Sequence, residues 1–396
     1  AEKIGRDMIV PRHRYSLALS LISSPVRNNL WELLDKHTPE ETFINLISQE
    51  VLHTQSYVAR KYGDDPWEAA CGILNTCSRD GIEIMDLWDP QYPSLLKEIH
   101  RPPLVLYFKG ERCWDKTVSI VGTRDTDPSS AKGAYRLSRE LSQAGYTVIS
   151  GMAMGVDREA HRGALENGGK TIGILANGIN VIYPAKNFDL YEKINASHHS
   201  ALISEYPPGS IAGKWTFARR NRIISGMSRA TVVVKAGEKS GSLITAGYAL
   251  EQNRDVFVCP GHIYEEGYEG CFHLMKSGAF AISGAVDILK EYHEEGPSER
   301  NPYRAVITRE QPYQGNDPGD SRQDMVEAKN RIVLEGYPDG SLEHRIIDLL
   351  SKGSLEVDSL VGRLQSGIAE INETVTSLEI FGVIMRRGNK ISLDRY

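Results

Sequence analysis

The feature that most constrains the fold of this chain is an alternation of short β-branched runs with helix-length amphipathic stretches. Near-continuous apolar strands separated by helices are typical of a parallel sheet covered by helices on both faces. The pattern predicts an α/β fold built on a doubly wound, mostly parallel, extended Rossmann-like sheet. The predicted strands are 118–121, 146–149, 171–175, 201–204, 231–234, 256–258 and 280–283.

The flanking sequence predicts further units, as a length of 396 residues requires. Residues 1–85 carry helix-spaced apolar positions, and 86–115 are rich in Trp, Tyr and Pro. We expect a helical domain, then an extended connector packing on an α/β domain at 116–292. Residues 293–338 have few apolar positions and are interpreted as a linker. Three helix-spaced stretches and a hairpin in 339–396 predict a winged-helix domain.

Composition narrows the class of protein. With 40% hydrophobic and 25% charged residues, the chain has the composition of a globular protein. Five cysteines argue against a disulfide framework, and no run of about 18 apolar residues or leader pattern is present. We therefore expect a cytoplasmic protein with no membrane segment. The formal charge of −6 means that a nucleic-acid partner must bind at a local basic patch.

The first predicted strand ends in Gly122, Thr123 and Arg124. In a doubly wound sheet, ligands bind beyond the carboxyl ends of the strands. Backbone N–H groups, a hydroxyl and a guanidinium at that edge suit a phosphate. A tight turn with a solvated arginine is the alternative interpretation.

The second loop contains Gly151 and Met152 and precedes a helix that carries Asp157 and His161. It lacks both G-x-G-x-x-G spacing and the lysine of a P-loop, so ATP binding is disfavoured. We expect Asp157 to cap a helix rather than act as an acid. We expect His161 to be a packed, hydrogen-bonded side chain rather than a base.

A third segment combines aromatic side chains, cations and an amide. Phe217 can stack on a base, while the cations can neutralise phosphates. A charged helix start is the alternative. A fourth loop, with Ser240 and Ser242, suits close approach of a phosphate. The polar residues of the third segment are Lys214, Arg219, Arg220, Asn221 and Arg222.

These four loops offer hydroxyls, cations and aromatics but no clustered carboxylates. Such a mixture suits a polyanion that carries bases, and it is unsuited to acid–base catalysis. We expect no cofactor. A zinc site made by Cys259, His262, Cys271 and His273 is weighed and disfavoured, because the Cys-x-His half is shorter than usual ligand spacing.

Six ordered motifs resemble the DNA-processing protein A (DprA/Smf) family over residues 82–290. They are SIVGTR at 119–124, SGMAMGVDREAHRGAL at 150–165, VIYP at 181–184, SEYP at 204–207, RNRIIS at 220–225 and SGSLITA at 240–246. The resemblance implies a SAM-like first domain and a winged-helix (DML1-like) last domain.

The resemblance also implies a function. Family members are non-enzymatic single-stranded DNA-binding proteins of natural transformation. They protect incoming single-stranded DNA, help load RecA for homologous recombination, and form homodimers through the α/β domain. By the family motif, Gly122, Thr123 and Arg124 would hold phosphates, Lys214 would hold a backbone phosphate, and Phe217 would stack a base.

Three positions depart from the family pattern. The first domain has Ser-Ser-Pro-Val at 23–26 in place of a glycine hairpin, which argues against DNA contact there. Lys235 stands where an acidic residue is expected and adds positive charge near the fourth loop. Residues 341–396 carry seven Lys/Arg and eight Asp/Glu, so we expect a protein-contact or auxiliary role for them.

One enzyme class has a similar α/β plan. Nucleotide hydrolases of the lysine-decarboxylase-like type carry a P-G-G-x-G-T-x-x-E loop. The corresponding loop here is 240–246, with no carboxylate before Glu251. This alternative is therefore disfavoured.

Overall fold

The computed structural model describes residues 13–23, 30–49, 52–292, 341–351, 353–364, 366–368, 371–372, 374–375, 378, 384–387 and 390–393. The helices are α1 (His13–Leu21), α2 (Leu30–Leu34), α3 (Pro39–Gln49), α4 (Ser56–Tyr62), α5 (Pro66–Asp80), α6 (Ser94–Lys97), α7 (Pro128–Gln143), α8 (Val156–Leu165), α9 (Phe188–Ala196), α10 (Lys214–Gly226), α11 (Gly241–Glu251), α12 (Glu269–Lys276), α13 (Ala285–Glu291), α14 (Leu342–Ser351) and α15 (Val357–Leu364). The strands are β1 (Glu83–Asp86), β2 (Val105–Gly110), β3 (Thr117–Val121), β4 (Thr147–Ser150), β5 (Thr171–Leu175), β6 (Ala201–Ser204), β7 (Ala230–Val233), β8 (Asp255–Val258), β9 (Phe280–Ala281), β10 (Leu355–Glu356), β11 (Ile384–Arg387) and β12 (Lys390–Leu393).

A nine-stranded sheet organises the α/β region, with strand order β1-β2-β6-β5-β4-β3-β7-β8-β9. The strands from β3 to β9 pair in parallel, and all seven strands predicted from the sequence are present. The mostly parallel, doubly wound α/β class is thereby confirmed. Successive strands run to one side from β3 to β6 and then to the other side from β7, so the order reverses between β3 and β7.

Both faces of this sheet are covered, which explains why its central strands are buried along their whole length. Every residue of β3, β4 and β5 is buried. One core contains Ile149, Ile223 and Val258, and another contains Val118, Ala160 and Phe257. These cores hold the carboxyl ends of the strands, and the loops that follow them, at one rim.

The stretch predicted as a connector contributes a strand to the sheet. β2 pairs antiparallel with both β1 and β6, and Tyr107 lies opposite Ile84 and Ser204. Val105 and Tyr107 join one buried cluster with Leu17 and Ile73 of the amino-terminal helices. The predicted boundary at residues 85/86 therefore falls within a strand, and the other predicted boundaries remain predictions.

The described part of the carboxyl-terminal segment has α14, α15 and the antiparallel sheet β10-β12-β11. Ile346, Leu360, Ile371 and Ile391 share its buried core. These elements follow the order expected of a winged helix, but the third helix is only partly within the described residues, so that domain type stays a prediction. The predicted linker at 293–338 and most of the turn at 23–26 lie outside the described residues.

Among the described helices, none combines the length and apolarity that crossing a bilayer requires.

Candidate nucleic-acid interface

A cleft opens at the carboxyl ends of β3, β4 and β5. The space inside it is about 430 Å³ with the open mouth included. Its lining combines glycine backbone, a cation, an amide and aromatic rings. The lining residues are Arg124, Gly151, Met152, Ala153, Met154, Leu175, Ala176, Asn177, Tyr183, Pro184 and Phe217.

The cleft is displaced from the point where the strand order reverses. Gly122 lies at that point, and a Cβ added there would be 2.7 Å from Val156 Cγ2 and 3.0 Å from the Lys235 carbonyl oxygen. The Thr123 amide donates to the same Lys235 oxygen at 2.8 Å. Protein atoms thus occupy the crevice at the reversal, and the Thr123 N–H is used internally.

Arg124 and the rings of Phe217 and Tyr183 lie together at the opening of the cleft. The Arg124 guanidinium carbon lies 5.1 Å from the centre of the Phe217 ring, within cation–π range. The Phe217 ring lies 5.4 Å from that of Tyr183, tilted by 47°. Arg124 is exposed, and Tyr183 is 45% exposed. Cation and rings are therefore accessible together.

Tyr183 is a residue that the sequence analysis missed as part of the site. It belongs to the VIYP motif, which carried the resemblance but received no role. The signal was an aromatic residue directly before a proline, in the segment that follows β5. The Tyr183–Pro184 peptide bond is cis.

A buried charge cluster fixes the second loop. Asp157 Oδ2 accepts hydrogen bonds from the amides of Gly151 (3.1 Å) and Ala153 (3.3 Å). Arg220 Nη1 donates to the Gly151 carbonyl at 2.5 Å and also to the Ile174 carbonyl. Both backbone groups of Gly151 are thus held, and a Cβ there would lie 2.6 Å from the Arg220 guanidinium.

Burial shifts the pKa values of this cluster. Desolvation raises the pKa of Asp157, and it lowers the pKa of Arg220 to about 10. Each shift is opposed by the attraction between the two charges. Asp157 therefore anchors the loop instead of serving as an exposed acid. It does not cap α8 as predicted, because the N-cap of that helix is Gly155 and Asp157 instead accepts from amides of the preceding loop.

Asn187 holds the second loop from the other side. Its Nδ2 donates to the carbonyls of Met152 (2.8 Å) and Ala153 (3.2 Å), while its Oδ1 accepts from Arg158 at 2.7 Å. Met152 has a positive φ of 56° and is 1% exposed. Its side chain packs toward Gly173 of β5, and the residue lines the cleft.

The predicted cations of α10 differ in exposure. Lys214, Phe217 and Arg220 recur every three residues and share one side, but Arg220 is 3% exposed beneath the cleft. Arg220 is therefore a positioning residue for the loop, and a direct contact with a phosphate is precluded by its burial.

Arg219 and Arg222 face Glu205, which follows β6. Arg222 Nη2 donates to Glu205 Oε1 at 2.5 Å, and Arg219 Nη2 lies 3.5 Å from the same oxygen. Neither arginine lines the cleft. Of the four predicted cations, the structure places Lys214, exposed on the first turn of α10, on the same side as Phe217.

The fourth loop lies across α10 and does not line the cleft. Ser240 caps α11 by accepting from the Ser242 amide, and the two hydroxyl oxygens are 2.7 Å apart. Asn221 connects this loop to α10 through a 3.3 Å hydrogen bond to the Gly241 carbonyl. Ser240 and Ser242 were predicted to contact a phosphate, but neither residue lines the cleft.

Lys235 differs from the expectation that it adds positive charge. Its Nζ lies 2.7 Å from Asp127 Oδ2 and 3.2 Å from Glu265 Oε1, and 4.7 Å from the centre of the Tyr268 ring. Asp127 also accepts from the amides of Ser129 and Ser130 at the start of α7. Two carboxylates neutralise the charge of Lys235, and Asp127 caps the N-terminus of α7.

Burial shifts the pKa values of His161, Cys259 and Cys271 toward the uncharged form of each side chain. His161 is fully buried and bonded to Thr171 Oγ1 at 2.7 Å, and burial lowers its pKa to about 3, which confirms a packed histidine. Burial raises the pKa of Cys259 to about 12 and of Cys271 to about 11. Within the described residues, no three His, Cys, Asp or Glu side chains are grouped to hold a metal ion.

Comparison with known proteins identifies the family. Residues 83–293 match the family model of DNA recombination-mediator protein A, which is more than half of the chain. The chain belongs to this family. It is 39% identical to the DNA processing protein DprA of Bacillus subtilis over 234 residues, covering 58% of this chain and 78% of that protein. It is also 39% identical to DprA of Streptococcus pneumoniae over 206 residues, covering 52% and 72% of the two chains.

A solved structure agrees with this membership. The X-ray structure of DprA from Streptococcus pneumoniae aligns with a TM-score of 0.57 and 30% identity, covering 72% of this chain and 99% of that one. The family match spans β1 to α13 and so contains every residue that lines the cleft. The cleft therefore lies in the part of the chain that matches the family model.

Proposed function

We propose that this chain binds single-stranded DNA in the cleft, with Arg124 holding a phosphate and Phe217 stacking a base. The observation that carries the proposal is the exposed guanidinium of Arg124, placed 5.1 Å from the Phe217 ring centre. A cation beside an aromatic face is how sequence-tolerant proteins bind a strand: the cation neutralises the backbone, and the ring stacks a base.

The geometry favours an unpaired strand over a duplex. A base can lie on the face of Phe217 or Tyr183 only after it leaves its own stack, and that costs little in single strands. Glycine backbone at Gly151 forms the floor, where a side chain would meet Arg220. The missing side chain at Gly151 thus makes room for the buried Arg220 guanidinium, which holds the second loop in shape.

The titratable groups beside the cleft also favour binding over catalysis. Asp157 is fixed by two amides, and His161 is buried with a pKa lowered to about 3. Neither group is placed to exchange protons with a substrate at neutral pH. This supports the proposal that the protein is not an enzyme.

The test is a titration of short oligothymidine and of a matching duplex at two salt concentrations. We expect the single strand to bind more tightly and Arg124→Ala to reduce the salt slope by about one. Lys276→Ala, an exposed cation on α12 of the opposite half of the sheet, is the matched control. Equal affinity of the wild type and Arg124→Ala would refute the proposal.

We further propose that the protein protects incoming single-stranded DNA during natural transformation and helps load RecA for homologous recombination. Membership in a family described as recombination mediators supports this role. Slower nuclease digestion of bound strands and faster RecA nucleation on them would test the two parts separately.

We also propose a homodimer formed through the α/β domain, which would double the contact with one strand. Sedimentation at several protein concentrations tests it, and a monomer at all concentrations would contradict it.

A further inference from the structure

Trp215 connects the α/β region to the carboxyl-terminal segment. It is partly buried and packs against the core formed by residues such as Ile346, Leu350 and Leu360. The carboxyl-terminal segment lies far along the chain, yet it contacts the first turn of α10. That turn also carries Lys214 and Phe217.

The contact lies beside the cleft. At about 100° per residue, Trp215 projects to the side of α10 away from Phe217, while Lys214 and Phe217 share a face. One helical turn therefore presents the cleft on one side and the carboxyl-terminal core on the other. Lys214 lies between the two sides, about 60° around the helix from Phe217 and about 100° from Trp215. A strand that follows Phe217 and Lys214 beyond the cleft therefore runs toward that core.

The charge of the carboxyl-terminal segment is unsuited to extending a DNA path. Residues 341–396 contain seven Lys/Arg and eight Asp/Glu, a net charge of −1. A surface that binds phosphates is expected to carry an excess of cations. The segment at Trp215 therefore offers a long strand no net attraction.

We propose that the first turn of α10 is an interaction surface for the chain's own carboxyl-terminal segment, and that a long single strand must displace this segment from Trp215. The inference rests on the proposed function. The two occupants compete for space next to Lys214, so docking of the segment lowers the affinity for long strands. A strand confined to the cleft is unaffected.

The test compares oligothymidines of about 6 and about 30 nucleotides on the full-length chain. Trp215→Ala should bind the long strand about two- to tenfold more tightly than the wild type, with no change for the short strand. Trp215→Phe keeps an apolar ring at the contact and should behave as the wild type. Ile211→Ala, an 83% exposed apolar residue before α10, is the matched control.

A second measurement reports the contact itself. The difference in tryptophan emission between the wild type and Trp215→Phe gives the emission of Trp215 alone. The long strand should shift this emission toward that of a solvent-exposed tryptophan, and the short strand should leave it unchanged. Circular dichroism should show that Trp215→Ala is folded.

Each outcome decides the inference. Weaker or unchanged binding of the long strand by Trp215→Ala overturns it, and weaker binding would mean that the segment extends the DNA path. If Arg124→Ala loses affinity for both lengths while Trp215→Ala changes neither, the proposed function stands and this inference alone fails.

Discussion

Lys235 Nζ lies 2.7 Å from Asp127 Oδ2, and this ion pair joins the loop after β7 to the N-cap of α7. The same lysine bonds Glu265, so the loop after β8 is held as well. Through its backbone carbonyl, Lys235 also accepts from Thr123. One residue thereby fixes the loop that carries Arg124.

The first prediction concerns Asp127. Asp127→Ala removes a helix cap and a lysine partner, and it should reduce the free energy of unfolding by about 1 to 2 kcal/mol in urea titrations. Asp127→Asn keeps the cap and should lose less. The bond to Lys235 holds the pKa of Asp127 well below its usual range.

The lowered pKa fixes the sign of the pH effect. The ionised form is favoured in the folded state, so its stabilisation is present above pH 4 and is lost as pH falls below that value. The stability difference between the wild type and Asp127→Asn should therefore shrink between about pH 5 and pH 2. A constant difference over that range would contradict the ion pair.

The second prediction concerns the two rings of the cleft. Phe217→Ala should weaken binding of oligothymidine by about 1 to 3 kcal/mol and leave the salt slope nearly unchanged, because stacking releases no counterions. Tyr183→Ala should also weaken binding. Since the rings are 5.4 Å apart, a double-mutant cycle should give a coupling of about 0.5 to 1.5 kcal/mol. Strict additivity would show that the rings act separately.

The third prediction concerns Arg220. Arg220→Met leaves the Asp157 charge uncompensated and two carbonyls without their donor, and it should cost about 3 to 5 kcal/mol of stability. Arg220→Lys should cost less. If Arg220→Lys is folded, its affinity for DNA should be lower than that of the wild type. The salt dependence of binding should be the same for both proteins, because this side chain does not reach a phosphate. A slope reduced as in Arg124→Ala would show direct contact.

The fourth prediction concerns His161. Its folded-state pKa of about 3 lies below the ordinary value of 6.5, so the unfolded chain binds the proton first and stability falls as pH drops below 6.5. Between pH 7 and pH 5 this group should cost about 2 kcal/mol. His161→Gln should show a smaller loss over that interval in urea titrations, and an identical loss would exclude His161 as the source.

Most of the fold could be predicted because its signal is local. The strands from β3 to β9 are short, mostly apolar runs in the sequence. Runs of this kind are expected where both faces of a sheet are buried. β2 was predicted only as extended chain, since its pairing with β6 depends on contacts about 95 residues away. Nothing in the run VLYFKG at 105–110 specifies that partner.

The site was predicted less completely, because the role of a cation depends on its tertiary partners. Arg219 and Arg222 look like free cations in the sequence, and only the fold brings Glu205 to them. Lys235 is neutralised by acids 108 and 30 residues distant. Arg124 and Phe217 were predicted, and the structure brings them together.

The pairing of β2 with β6 has a practical consequence for anyone who trims the chain. A fragment that begins at residue 116 would lack β2 and would leave Ala201–Ser204, a fully buried strand, as an exposed edge strand. Exposed edge strands pair with other chains and promote aggregation. Such a fragment should aggregate on storage, whereas one that begins before β1 should remain in solution.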